Sequence, residues 1–362
     1  MTKKFFYAEL SGTPYEIGFS HGSKAKKYIL HNISIYQQLF MNNAGVKWDD
    51  AKSASRRYIP YISSYDPDLL DEMRGIADGA GLDFEDILAL NARSEVLMTL
   101  TPKDDITPVD GCTNIAVMPD RSRNGHTYLA HNWDWKIESR ESIITLKIKQ
   151  SDKPDILMIT EAGIVGKFGV NSSGIGVAMN ALSTPCDAEG VPLHCILRGV
   201  LNSRTLTQAV YAITHKRCAC AANYMMASAG GEIFDCERVP DDFEIFYPSD
   251  GLLHHTNTIL SQKLKNKYPD NMHLMGASTF LRYYRSGRLI RKFDRIGPDE
   301  LKSVLADHGD APDSVCSHDH APRYPDETVF CTIFTILIDL ESKTMEICAE
   351  NPCEGEFYTL SL

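Results

Sequence analysis

Cys112 stands at the head of a short apolar run, Thr113 to Met118, immediately after an Asp110-Gly111 step. A Pro-rich polar link, Thr101 to Pro108, precedes it. Asp120-Arg121-Ser122-Arg123-Asn124-Gly125 follows, and its Asn-Gly pair is a strong hairpin signal. A second run, Thr127 to Asn132, ends in Asn132-Trp133-Asp134. A hairpin centred on residue 123 sets Asp134 across from Cys112, with Cβ atoms roughly 5 Å apart. A free thiol of pKa about 8.5 is only a few per cent ionised at neutral pH, so it needs a base. His131 precedes Asn132, but strand alternation points it to the face opposite Asn132. Cutting the chain between Gly111 and Cys112 would supply another base. It frees an α-amine of pKa about 7.7–8.0, which can accept the thiol proton. Gly111 suits such a cut, because its carbonyl is approachable without a Cβ. Cys112 would attack that carbonyl, form a thioester by N-to-S shift, and water would release residues 1–111.

These residues also carry a resemblance. Asp110-Gly111-Cys112-Thr113, Asn132-Trp133-Asp134 and Ile159-Thr160-Glu161-Ala162-Gly163-Ile164-Val165-Gly166-Lys167 resemble the acyl-coenzyme A:6-aminopenicillanate acyltransferase (isopenicillin-N acyltransferase) family, in this order and at these spacings. The likeness runs from about Gly12 to the last strand. It implies a peptidase C45-like N-terminal-nucleophile (Ntn) hydrolase, made as a self-cleaving zymogen and built as an αββα four-layer sandwich. It implies an oxyanion donor at Asn257, in His255-Thr256-Asn257, and a second asparagine at the nucleophile, Asn180. Asp134 would orient the new amine, with Thr113, Asn132 and Trp133 in support. Ser314-Val315-Cys316-Ser317 matches a family Ser-x-Cys-Arg stretch, so Ser314 joins the candidates. Ser317 replaces the arginine there, and Arg323 is the candidate substitute. Choloylglycine hydrolases, more distant relatives, have Arg-Asn-x-Asp where this chain has His131-Asn132-Trp133-Asp134, which argues against bile-salt-type specificity. Asn91 to Glu95 resembles a family stretch too, with Arg93 and Glu95 either near a cleft or a surface helical pair.

The elements that must position these groups follow from periodicity. Residues 1–111 read mainly as helix: one opening at Thr13-Pro14-Tyr15-Glu16, one from Asp66 to Gly79, and one from near Asp83. After Cys112 the period becomes two. Strands are expected at Ile144 to Ile148, Ile156 to Thr160, Val165 to Val170, Ile175 to Ala181, Tyr224 to Ala227, Ile233 to Val239, Phe243 to Tyr247 and Leu252 to Thr256. Helices are expected at Thr205 to His215, Met272 to Phe293 and Pro298 to Asp307. The last strands are Val329 to Asp339, Thr344 to Glu350 and Phe357 to Leu362, the first of them apolar enough to be buried on both faces. Helices and strands in separate blocks indicate α+β with antiparallel sheets. The division is 1–111 as helical pro-segment and 112–362 as core. The segment should stay bound as a subunit, because its apolar helix faces need the sheets for burial.

With 362 residues and a net charge of −11, the chain is large enough for a substantial core and poorly suited to nucleic acid or anionic membrane. Its N-terminal apolar run is too short for a signal sequence, so we expect a cytoplasmic protein with mostly reduced cysteines. Cys316, His318 and His320 form a short cluster without a second ligand pair, and no metal or cofactor is expected. Acyl-coenzyme A enters only as a co-substrate. The expected function is a thiol-nucleophile amidohydrolase or acyltransferase acting on an N-acyl amine, amino acid or small peptide amide. Two other readings are open: a papain-like peptidase pairing Cys112 with His131, His254 or His255, without autocleavage, and a non-catalytic binding protein.

Overall fold

A computed structural model describes residues 2–100, 111–184, 188–271, 277–323 and 329–362. The expected link at 101–108, Asp110 and the start of the helix expected from Met272 lie outside these. Thr13 opens α1 (Pro14–Ala44) with a capping box: its side chain accepts from the Glu16 amide, and Glu16 returns a bond to the Thr13 N–H. Five more helices follow, α2 (Trp48–Ser55), α3 (Ile59–Tyr65), α4 (Asp68–Ala80), α5 (Phe84–Asn91) and α6 (Arg93–Leu100).

The N-terminal segment is not wholly helical. Phe6–Gly12 forms β1, which pairs in parallel with β4 (Ile143–Gln150), Phe6 opposite Ile144. The sheets are antiparallel as expected except at this edge, where β1 runs parallel to β4. The strand's alternation of buried Ala8 and Leu10 with exposed Tyr7 and Glu9 spans too few residues to stand out beside the long helix after it.

Two sheets form the centre. One has eight strands in the order β1-β4-β5-β6-β7-β8-β9-β10, adding β5 (Ile156–Glu161), β6 (Phe168–Asn171), β7 (Ile175–Ala181), β8 (Ala222–Ser228), β9 (Ile233–Val239) and β10 (Asp242–Phe246). The other has six in the order β11-β2-β3-β12-β13-β14, made of β2 (Gly111–Val117), β3 (Tyr128–Trp135), β11 (Leu252–His255), β12 (Cys331–Asp339), β13 (Thr344–Cys348) and β14 (Phe357–Ser361). As its composition predicts, β12 is central and buried along all but its last residue. The sheets face one another, and an Asn114 to Asn180 side-chain bond of 2.7 Å crosses the gap.

Helices cover the outer faces. The N-terminal helices, α7 (Leu193–Leu201) and α8 (Leu206–Thr214) lie on the eight-stranded sheet; Asn171 of β6 donates to the carbonyls of Leu201 and Ser203 there. After the short α9 (Gln262–Lys265), α10 (Ser278–Ile290) and α11 (Pro298–Leu305) lie on the six-stranded sheet, where Asn132 of β3 donates to the Leu305 carbonyl. This is the αββα order expected. The helix α7 was not expected from sequence, and the strand expected at Val165 to Val170 is confined to Phe168–Asn171. Lys167 turns inward to a buried carboxylate and breaks the earlier alternation. No helix among the described residues is long and apolar enough to cross a membrane.

Glycine sets how closely α1 and α4 cross. A Cβ on Gly18 would stand 2.0 Å from the Glu72 carbonyl oxygen, and one on Gly75 would stand 2.1 Å from that of Tyr15. Backbone meets backbone, so no side-chain rotation can relieve an added methyl. Gly75→Ala should therefore destabilise the protein by at least about 1–3 kcal/mol. Urea unfolding measures this, and a wild-type midpoint would mean that the helices do not meet as described.

His21 of α1 is buried, and its Nε2 accepts the Gly163 N–H at 3.1 Å. Burial, helped by the Arg198 charge, lowers its pKa from 6.5 to about 3. The folded imidazole stays neutral while the unfolded one takes a proton near pH 6.5. The stability it contributes is complete above that pH and is lost as pH falls toward 3, at about 1.4 kcal/mol per pH unit. His21→Gln keeps an acceptor but no titration. Its unfolding free energy should fall less steeply than the wild type's between about pH 6 and about pH 5, by about that amount. Parallel slopes would rule this out.

Candidate active site

The β2–β3 hairpin does bring Asp134 to the Gly111–Cys112 bond, but one residue away from the expected register. Gly111 lies opposite Asp134, Cys112 opposite Trp133, and Thr113 opposite Asn132. Because strand side chains alternate, a one-residue slip changes faces. Cys112, Asn114 and Ala116 project toward the eight-stranded sheet with Trp133 and His131. Asp134 shares the other face with the Gly111 position. A Cβ on Gly111 would lie 3.0 Å from the Asp134 Cβ and 3.1 Å from its Oδ2. Glycine at 111 thus lets Asp134 approach closely, and a Cβ there would make the Asp134 side chain give way by a few tenths of an ångström. Thr332 Oγ1 donates to Asp134 Oδ1 at 2.7 Å and fixes the carboxylate.

Buried Cys112 is held at both ends of its peptide unit. Its N–H donates to Asn257 Oδ1 at 2.8 Å, and its carbonyl accepts from Arg282 Nη1 at 2.6 Å. Arg282 also donates to Thr113 Oγ1 at 3.2 Å and, through Nη2, to Asn257 Oδ1 at 2.9 Å. Two donors converge on the same Asn257 atom, so that atom is the amide oxygen. Asn257 Nδ2 donates to the Ala181 carbonyl at 3.1 Å. Thr279 in the first turn of α10 accepts the Asn257 N–H at 2.9 Å, locking that helix to the loop after β11. Burial lowers the Arg282 pKa from its usual value, opposed by the negative charges of Asp134, Cys112 and Asp313.

Arg282 was missed in the sequence. It is the cation found at Cys112, where a replacement was sought at Arg323. Arg323 instead pairs with Asp313 at 2.7 Å. A signal existed: Thr279, Arg282, Ser286 and Ile290 recur at helical spacing and are all buried, which puts an arginine on the inward stripe of α10.

The remaining candidates support more than they contact. Asn132 Nδ2 donates to the carbonyls of Leu305 and Val315, and its Oδ1 accepts from Thr335, so it ties β3 to α11 and the loop beyond. Ser314 Oγ donates to the Cys316 carbonyl within that loop. Asn180 Oδ1 accepts from Asn114 and Asn223, and its Nδ2 reaches the His255 carbonyl at 3.4 Å, placing it in a polar network between the sheets. The histidines are engaged elsewhere. His131 Nδ1 lies 2.5 Å from Asn114 Oδ1, His255 pairs with Glu237, and His254 stacks on Tyr283. Burial and the Lys167 charge hold the His131 pKa well below its usual value.

Trp133, across from Cys112, carries Lys167 Nζ 3.5 Å from a ring centroid. Lys167 and Arg93 both donate to Glu161 Oε2, at 2.7 and 2.8 Å, and Tyr36 donates to Oε1 at 2.5 Å. Burial alone would raise the Glu161 pKa; Arg93 and Lys167 outweigh it and hold the carboxyl far below the usual range. Arg93 and Glu95 are thus buried rather than a surface pair, with Glu95 accepting the Leu193 N–H at 2.7 Å. A small cleft of about 30 Å³ opens between α1 and α6 on one side and the ends of β3 and β7 on the other. Tyr36, Arg93, Leu97, Trp135 and Ala181 help line it.

A family model described as acyl-coenzyme A:6-aminopenicillanic acid acyl-transferase matches residues 121–354. The acyl-coenzyme A:6-aminopenicillanic-acid-acyltransferase 40 kDa form of Emericella nidulans is 30% identical over 330 residues, 89% of this chain and 87% of its own. The Caenorhabditis elegans N-acylethanolamine-hydrolyzing acid amidase ortholog aligns with 69% of this chain and 100% of its own, at 14% identity and a TM-score of 0.45. Penicillin V acylase from Agrobacterium tumefaciens aligns with 69% of this chain and 86% of its own, at 12% identity and a TM-score of 0.46. The extent of the family match, and the identity held over nearly the whole chain, show that this protein belongs to the acyl-coenzyme A:6-aminopenicillanic acid acyl-transferase family.

Proposed function

We propose that this member of an acyl-transferring family makes its nucleophile by cutting its own Gly111–Cys112 bond. The Cys112 thiol then takes an acyl group from an N-acyl amine, amino acid or small peptide amide. The observation that carries the reading is the clamp on Cys112: Asn257 on its nitrogen, Arg282 on its carbonyl, and Asp134 across from Gly111.

In the first reaction the thiol adds to the Gly111 carbonyl carbon. The C–N bond breaks, the nitrogen gains a proton and becomes the α-amine of Cys112, and residue 111 is left as a thioester. Water hydrolyses that ester and returns the free thiol. In the second reaction the amine accepts the thiol proton, the sulfur attacks the substrate carbonyl, and the proton passes to the departing amine. The resulting thioester gives its acyl group to water or to a second amine, so hydrolysis and transfer differ only in the acceptor. Asn257 Oδ1, which now accepts the Cys112 amide N–H, would hold the amine; its Nδ2 end serves as oxyanion donor. Arg282 places a positive charge near the amine, which lowers the amine's pKa so that it rests as the free base that takes the thiol proton. Asp134 counters that charge and orients the new amine. Asn180 and Asn132 act as scaffolding in this scheme.

The small cleft is lined by apolar Leu97 and Trp135 and by Arg93, whose charge is taken up by Glu161. Residues 1–111 build one of its walls, so the cut segment is expected to remain as a bound subunit. Asn91 supports this: Nδ2 donates to the Gly163 carbonyl and Oδ1 accepts from Val165 N–H, both at 2.9 Å. Acyl-coenzyme A can present its thioester to the same thiol, and no cofactor takes part. The reduced thiol fits the cytoplasm.

Intact mass tests the first reaction. Wild type should separate into 1–111 and 112–362, while Cys112→Ala stays whole. Efficient cutting of purified Cys112→Ala, or an uncut wild type that turns over N-acyl amides, would end the self-processing scheme. For the second reaction, Asn257→Ala should lower the acyl-amide turnover rate by roughly 10²–10³, measured per cleaved molecule. Near-normal turnover would remove Asn257 from the chemistry.

A further inference from the structure

Four donor side chains from three segments converge where α11 meets the end of the six-stranded sheet. His308 follows α11, Cys316 and His318 lie on the loop before β12, and Cys353 lies between β13 and β14. His308 Nε2 is 3.0 Å from His318 Nε2. Cys316 Sγ is 3.6 Å from His318 Nε2 and 3.6 Å from Cys353 Sγ, and Cys353 Sγ is 3.4 Å from His318 Nε2. All four ligand atoms lie within 4.8 Å of one another. A tetrahedral zinc ion, with Zn–S about 2.3 Å and Zn–N about 2.0–2.1 Å, separates its ligands by roughly 3.3 Å for N–N, 3.6 Å for N–S and 3.8 Å for S–S. The observed separations follow those edges. Hydrogen bonding explains the cluster poorly, since thiols are weak donors and weak acceptors.

We propose that His308, Cys316, His318 and Cys353 bind one Zn²⁺ as a closed structural site. Both thiols lose their protons on binding, so two thiolates neutralise the ion and two neutral imidazoles complete it. The surroundings fit. Glu354 Oε1 lies 4.0 Å from His318 Nδ1, on the side of the ring that does not face the cluster, beyond hydrogen-bond reach but within reach of an ion pair. Asn351 Nδ2 approaches Cys316 Sγ at 3.6 Å and donates to the Ser317 carbonyl at 2.7 Å. The sequence reading, which expected no metal, had Cys316, His318 and His320 without a second ligand pair. His308 and Cys353 are that pair. His320 turns away, with Nδ1 2.9 Å from the Ala321 carbonyl oxygen.

The ion would stiffen the loop that sets Asp134. Ser317 N–H donates to Thr332 Oγ1 at 3.0 Å, and that hydroxyl donates to Asp134. The test uses the full, tag-free chain purified in reductant and supplied with Zn²⁺. Elemental analysis should find about one zinc per chain in wild type and background in Cys353→Ser and His308→Gln, whose altered side chains are exposed. Co²⁺ in place of Zn²⁺ should give the intense visible bands of a tetrahedral thiolate site in wild type only. A chelator should lower the melting temperature of wild type and leave Cys353→Ser unchanged. The proposal fails if wild type binds no zinc, if the zinc persists in Cys353→Ser, or if thiol counting finds Cys316 and Cys353 joined as a disulfide.

Discussion

One buried guanidinium decides how the strand that carries Cys112 begins. Arg282 donates to the Cys112 carbonyl and to Asn257, and Asn257 in turn accepts from the Cys112 N–H. An arginine this deeply buried costs several kcal/mol in lost solvation unless its donors are used. Here they are used on atoms that must be held still. Removing either partner would leave a buried charge or a buried amide without its bond, so the strand start, the loop after β11 and the first turns of α10 are set together.

A second buried cluster joins the N-terminal segment to the core. Glu161 ends β5 and receives Lys167 from the core, with Arg93 and Tyr36 from the helices. Breaking one member would strand a charge in a site without water, so the cluster favours attachment in one register over sliding. Two of these side chains, Tyr36 and Arg93, border the cleft. The N-terminal helices therefore help shape the cleft.

Much of this was legible in the sequence because it is local. The capping box at Thr13, the Asn-Gly turn, the alternation along β4 and the apolar length of β12 each report a short-range cause, and each element stands close to its expected place. The hairpin was legible, but its register was not. The turn's composition does not say whether its centre falls on a residue or between two, and that half-step moved Asp134 from beside Cys112 to beside Gly111. Arg282 and the four-residue cluster at Cys316 were illegible for a different reason. Their partners lie far apart in the chain, brought together by sheet order and by the crossing of α10 and α11. Family resemblance identified Asn257, whose own sequence context reads only as the end of a strand. It said nothing of the arginine, because the pattern places one elsewhere.

The parallel strand β1 has a consequence for the order of events during synthesis. Phe6 emerges from the ribosome early but cannot find its partner Ile144 until the hairpin bearing Cys112 has been made. Parallel pairing across so long a stretch closes slowly, and until then β4 presents an open edge able to recruit another chain. A segment cut loose before that closure would have to find the edge by diffusion, at the mercy of dilution. Kept in one piece, it is tethered at high local concentration. The intact chain thus behaves as its own assembly factor: the covalent link matters most while the sheet is unfinished, and least once the first strand has docked.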